Sequence, residues 1–292
     1  MINFFTEPLQ YEFMINAFVV ATAAAVVCAL LSCWIVLIGW SLLGDAVSHA
    51  VLPGVVLAFM FGLPFTVGAL IAGLIAVTLI GTVRDTSRVK GDAAIGVVFT
   101  AFFAIGLILK SRYPSNTDLN GIIFGNVLGI SHTDRIMVLS LAVIVGAILI
   151  ARRKDITLFA FDSVHAHAIG LHPKRISALV LLLLALTTIV ALQVVGVILV
   201  VAMLVIPGTT AYLLSDRMGH MLIIAPSIAA LSTITGLYIA YWTNASPAGW
   251  IVVCQAIAFA LAYIGSPKYG MVHRFLVKRR HAMNPSELSK GL

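Results

Sequence analysis

Apolar stretches close to the ~20 residues that carry a helix across a bilayer recur along this chain at about 14–38, 44–61, 65–83, 93–110, 136–151, 176–192, 194–214, 221–242 and 248–265. A chain with so many apolar runs has no interior large enough to hide them in water. Spanning helices satisfy their own backbone groups inside lipid, so the pattern predicts an all-α, polytopic transmembrane helical bundle of eight or nine spans. The count depends on whether 176–214 holds two crossings or one broken element. Composition agrees, with 61% hydrophobic and 10% charged among 292 residues. The connections are short and carry Gly or Pro, as in Gly62-Leu63-Pro64 and Asn244-Ala245-Ser246-Pro247. Residues 1–292 therefore read as one transmembrane domain, with an N-terminal segment at 1–13 and a basic tail at 269–292.

Lys and Arg collect in cytoplasmic loops. Arg84, Arg88 and Lys90 mark one such loop, Arg152, Arg153, Lys154, Lys174 and Arg175 a second, and Lys278, Arg279 and Arg280 the tail. The polar stretch 113–134 then falls outside. Nine spans place the N-terminus outside and the C-terminus in the cytoplasm. The net charge of +7 is thus a topology signal. No aromatic residues interleave with a basic stripe, which argues against nucleic acid as a partner. The first residues carry acids and lack a basic n-region, so the first span is expected to stay in the mature protein. Cys28, Cys33 and Cys254 all lie in apolar runs and read as small hydrophobes, not a thiolate metal site.

Asp45 and His49 are the carboxylate and the imidazole that fall well inside membrane-length apolar sequence. Four residues apart on a helix, they share a face one turn apart. A carboxylate at that depth costs roughly 2.5–3.5 kcal/mol on insertion scales and is kept where it meets water, a partner or an ion. An oxygen and a nitrogen donor together suit Mn2+, Fe2+ or Zn2+ better than Cu(I). Two protein ligands are too few for a tight site, and a twofold dimer would double them. Protonation of His49 would abolish its ligand role. Pro53 lies four residues beyond and is a candidate hinge. The plainer alternative makes Asp45 a helix cap and gives His49 a hydrogen bond to a neighbouring helix.

Two interruptions follow. The run from Gln193 to Gly208 places a Gln, two Gly and Pro207 in apolar sequence. It reads either as a tight turn followed by a Pro kink or as a broken helix lining a cavity. Farther back, Asp162 or Ser163 can cap a short helix that Gly170 ends. That helix either lies on the membrane interface or docks to a partner. His165, His167 and His172 in this stretch read as a solvated cluster on a loop. The chain has no G-x-x-x-x-G-K-[ST], H-E-x-x-H, G-x-S-x-G or G-x-G-x-x-G motif, so any ATP-driven step needs another polypeptide.

The stretch Ser41-Leu42-Leu43-Gly44-Asp45-Ala46-Val47-Ser48-His49-Ala50-Val51-Leu52-Pro53-Gly54-Val55 resembles the signature of the permease subunits of bacterial manganese, iron and zinc ABC importers, the ABC-3 family. The likeness continues through Asp92-Ala93-Ala94-Ile95-Gly96, Phe124-Gly125-Asn126-Val127-Leu128-Gly129, Phe161-Asp162, Ala166 with Gly170, and Gln193 to Pro207, covering about residues 10–268. It implies a type II ABC importer-like permease in a bacterial inner membrane, paired with a second copy or a homologous permease. It also implies a cytoplasmic ATPase that binds ATP and an extracytoplasmic metal-binding protein. Asp45 and His49 would form the metal-coordinating gate. Phe161, Asp162, Ala166 and Gly170 would lie on a coupling helix over 161–170 that meets the ATPase. Gln193, Gly196, Met203 and Pro207 are pathway-lining candidates.

No cofactor is expected to be permanently bound; the divalent metal is substrate. The form Ser48-His49-Ala50 is more similar to the manganese and iron members than to the zinc members, which ranks Mn2+ first, then Fe2+ or Zn2+. The chain departs from the family after Asp162, where Ser163 and Val164 stand in place of a frequent Glu. The rival reading is a proton-coupled secondary metal transporter using Asp45 and His49 as a proton relay. An intramembrane metal hydrolase lacks a third ligand and a base. The chain is expected to be a transport subunit, not an enzyme.

Overall fold

The computed structural model describes residues 7–89, 91–112 and 128–266. Most of the polar stretch 113–134 and the basic tail 269–292 lie outside the described residues, as does much of the N-terminal segment. After a 3-10 turn at Pro8–Gln10, the described residues form the α-helices α1 (Glu12–Ile38), α2 (Leu43–Ala50), α3 (Leu52–Met60), α4 (Phe65–Thr86), α5 (Gly91–Arg112), α6 (His132–Ala151), α7 (Arg153–Phe161), α8 (Ser163–Ala168), α9 (Pro173–Val195), α10 (Val197–Leu214), α11 (Met218–Thr243) and α12 (Pro247–Gly265). No strand occurs among the described residues. Among the described residues nine stretches are long and apolar enough to cross a membrane, with α2 and α3 together forming the second. The runs at 176–192 and 194–214 are two separate crossings, so of the two expected counts the higher one holds.

α1 is the hub of the bundle. It is apolar on all sides and mostly buried, as expected for a helix that other helices surround. It packs chiefly on α10 and α11. At the α1–α10 crossing, a Cβ added to Gly208 would run into the Ser32 backbone. The Gly208 N–H donates to Ser32 Oγ at 3.1 Å. Pro207 just before it lacks an N–H, so this cross-helix bond sits where the ladder of α10 is one donor short.

The α1 helix ends at Gly39, whose φ of +82° turns the chain out of the helix. Trp40 N–H then reaches back to the Ile35 carbonyl at 2.8 Å. This closure lays the Trp40 ring under the bundle, edge-on to Phe159 with centroids 6.4 Å apart. Trp34 Nε1–H donates to Thr157 Oγ1 at 2.9 Å, a second tie between α1 and α7.

The second span breaks at Val51, between α2 and α3. Pro53 stands in the first turn of α3 and has no N–H to give the His49 carbonyl four residues earlier. Beyond the break, α3 and α4 touch backbone to backbone. A Cβ on Gly54 would overlap the Gly68 carbonyl oxygen, and one on Gly68 would overlap the Gly54 carbonyl oxygen. Such approach is how membrane helices gain packing where lipid offers no hydrophobic drive.

Between α9 and α10 the chain turns at Gly196, with φ +80° and ψ 167°, a conformation essentially confined to glycine. The tight-turn reading therefore describes this segment, with Pro207 inside the following helix. The Cys residues are free, Cys28 and Cys33 buried and Cys254 half-buried.

Candidate functional site

α2 is an eight-residue helix with two distinct sides. Leu43, Ala46, Val47 and Ala50 are buried, and Gly44 meets the Leu204 side chain so closely that a Cβ would collide with it at 2.7 Å. Ser48 is buried too and satisfies its hydroxyl on the Gly44 carbonyl at 2.9 Å. The opposite side carries Asp45 and His49. Their side chains are 43% and 34% exposed, with His49 Nε2 3.5 Å from Asp45 Oδ1. The residue at the start of α2 is Leu42, and no side chain caps it. Asp45 is thus not a cap; its carboxylate faces the imidazole.

The sequence did not reveal what stands behind His49. Its ring sits 5.5 Å from Phe99 and 5.4 Å, edge-on, from Phe103. These are the eighth and twelfth residues after Gly91, where α5 begins, so they lie ~12 and ~18 Å along the helix at 1.5 Å per residue. The imidazole therefore sits beside the middle of α5, against an aromatic wall. Phe99 and Phe103 at i,i+4 do read as one face of α5. Nothing in the sequence says that this face meets α2.

A nitrogen and an oxygen donor one turn apart, open on one side and walled by rings on the other, can bind a borderline-hard dication. Among the described residues no three His, Cys, Asp or Glu side chains come together as a metal site. His165, His167 and His172 are all exposed and do not converge.

The remaining predicted residues lie elsewhere. Gly196, Met203 and Pro207 are buried in the protomer core, Met203 completely. Leu204, next to Met203, is the residue of α10 that packs against Gly44 of α2. The side chain of Gln193 lies outside the described residues. Pro53 is at the break in the span. Phe161 ends α7, and Asp162 caps α8, its Oδ1 accepting the N–H groups of Val164 and His165 at 2.9 Å each. Ala166 is fully buried. Gly170, at φ +89°, closes the helix while Leu171 N–H returns to the Ala166 carbonyl at 3.0 Å. Around it Phe161 (63%), Val164 (79%) and Ile169 (57%) are exposed, an apolar surface outside the nine crossings that calls for a cover.

Residues 10–266 match the model of the ABC 3 transport family. The chain is 48% identical over 285 residues to the manganese transport system membrane protein MntB of Synechocystis, covering 98% of this chain and 93% of that one. It is 41% identical to the chelated iron transport system membrane protein YfeC of Yersinia pestis, covering 96% and 97%. Among solved structures, PsaBC from Streptococcus pneumoniae in complex with Fab superposes with a TM-score of 0.83 at 36% identity, over 96% of this chain and 100% of that one. An inward-facing putative metal-chelate type ABC transporter shares the fold alone, at TM-score 0.70 and 16% identity over 85% of each chain. With the family match over residues 10–266 and a relative 48% identical across nearly the whole chain, the helical bundle of apolar, membrane-length helices is explained: this chain is a multi-pass membrane permease subunit of the ABC 3 transport family.

Proposed function

We propose that the chain is the permease of an ATP-driven importer of divalent transition-metal ions, with Mn2+ as the first candidate and Fe2+ or Zn2+ after it. The observation that carries this reading is the Asp45–His49 pair, 3.5 Å apart on an exposed side of an otherwise buried helix. A dication losing its water needs charge compensation, which Asp45 supplies, and His49 adds a nitrogen. Two protomers about a twofold axis bring two such pairs to one ion. Manganese is favoured by the Ser48-His49-Ala50 form and by the manganese transport role named for the 48% identical relative.

The ion arrives from an extracytoplasmic metal-binding protein and leaves toward the cytoplasm. A separate ATPase pair drives the cycle, seated on residues 161–170, where Phe161, Val164 and Ile169 offer an apolar surface. The Lys and Arg distribution supports an N-terminus outside and a C-terminus inside. Pro53 and the break at Val51 let the pair move relative to α3. Gly196, Met203 and Pro207 shape the wall behind α2 as the pathway opens.

The test is radiolabelled Mn2+ uptake, with and without competing Zn2+ and Fe2+, in cells carrying this chain and its partner subunits. Wild type is compared with Asp45→Asn at matched membrane abundance. Uptake in the variant is expected to fall at least about tenfold, the order seen when a metal-site residue is lost. Undiminished uptake removes Asp45 from the metal path.

A further inference from the structure

Trp34 is fully buried in α1, and an indole N–H in such a place needs an acceptor. It finds Thr157 Oγ1 on α7, at 2.9 Å. The same hydroxyl donates to the Arg153 carbonyl at 2.6 Å, so its proton is committed and the oxygen is left to accept from the indole. Breaking this bond would leave a buried donor unsatisfied. Helices that meet only through apolar side chains can slide past one another, but α1 and α7 cannot do so here without that loss.

The contacts run on from both ends of the bond. Phe161 lies four residues past Thr157, one turn away on the same face of α7, and its ring is exposed. On α1, Ser32 stands two residues before Trp34. Its hydroxyl accepts the Gly208 N–H of α10 at 3.1 Å and donates to the Val205 carbonyl at 3.5 Å. Leu204, one turn before Gly208, packs on Gly44 of α2, the neighbour of Asp45. Bonded or packed groups thus lead from the surface at Phe161 to the helix of the Asp45–His49 pair. We propose that the Trp34–Thr157 bond couples movement of the segment 161–170 to the position of that pair, which makes Trp34 and Thr157 positioning residues for transport. The coupling rests on the transport function proposed above. A competing route is α9, which starts just past the segment at Pro173 and also packs on α2.

The assembled transporter, purified with its ATPase and metal-binding protein, is placed in liposomes, and Mn2+ uptake and ATP hydrolysis are measured on the same vesicles. The readout is Mn2+ moved per ATP hydrolysed. Thr157→Val keeps the side-chain shape and removes the acceptor. It should lower the ratio at least about fivefold, the lower end of coupling between sites, while hydrolysis continues. The loss is partial because the Trp40 ring still rests edge-on to Phe159. Trp34→Phe removes the donor and should act alike. The double variant should lose no more than either single one, since the same bond is removed in all three. Thr157→Ser restores the acceptor and with it the ratio. If Trp34→Phe does not fold, the two Thr157 variants carry the comparison. The coupling is overturned if Thr157→Val moves as much Mn2+ per ATP as wild type, the result that α9 as the route would give, or if the two single effects multiply in the double variant. ATP-dependent uptake in wild type with an unchanged ratio in the variants overturns the coupling alone. A wild type without ATP-dependent uptake overturns the transport reading and the coupling with it.

Discussion

Adding one methyl group at Gly54 should separate two helices and destabilise the bundle. A Cβ there would sit 2.6 Å from the Ala72 Cβ as well as overlapping the Gly68 carbonyl. Carbon atoms rest at ~3.5–4.0 Å, so α3 must retreat by ~1 Å. A gap of that size forfeits about a quarter to a half of each dispersion contact across the interface. Backbone cannot yield as a flexible side chain does, which puts the cost near the upper end of the ~1–3 kcal/mol for overpacking.

Gly146, inside α6, is the internal control, because nothing lies within 4 Å of its added Cβ. There the change to Ala should stabilise by ~0.5–1 kcal/mol through helix propensity alone. The two variants should therefore differ by ~3–4 kcal/mol, or roughly 6–16 °C in melting midpoint at ~2–4 °C per kcal/mol. Midpoints are read by size-exclusion after heating, at equal concentration in one detergent. Equal midpoints for Gly54→Ala and Gly146→Ala would refute the claim that a backbone contact holds α3 to α4.

Phe103→Ala should leave Asp45 and His49 in the chain but remove the ring beside the imidazole, lowering metal uptake at unchanged abundance; undiminished uptake would make the aromatic wall irrelevant. Ser32→Ala removes the acceptor of the Gly208 N–H and should cost ~1–3 kcal/mol as a buried donor goes unpaired, read as a lower melting midpoint. Asp162→Ala strips the cap from α8 at a cost of ~1 kcal/mol, and co-purification of the ATPase should weaken while the permease melts nearly as before. Gln255 is fully buried with neither amide atom hydrogen-bonded, so Gln255→Met should raise the midpoint; a lower midpoint would mean that the amide is satisfied by internal water.

The membrane made the crossings legible. A bilayer demands ~20 apolar residues per helix, and the nine runs coincide with the nine spans. The break in the second span was announced by Pro53, and the cap and end of α8 by Asp162 and Gly170, because those residues act on their own backbone. Which faces meet was not legible. α1, α10 and α11 are apolar all round, so no periodic stripe marks a partner. The Gly54–Gly68 contact, the Ser32–Gly208 bond and the aromatic wall behind His49 join residues 14, 176 and some 50 positions apart. The sequence named the chemical pair but not its setting. Arg84 read as a topology marker, and its stacking on Trp40 appears only in the structure.

The break at Val51 divides labour within the second span. Its second half is bolted to α4 through Gly54 and Gly68, while its first half carries Asp45 and His49, the proposed donors, across a joint of about one residue. A continuous helix would transmit every tilt of the donors to that bolted contact as a rigid lever. The joint lets the donors rotate while the bolt stays still, so the energy barrier between closed and open gates need not include tearing two glycine backbones apart. Pro53→Ala would weld the halves, trading gate speed for rigidity: a protein that melts no lower, holds its metal and releases it slowly.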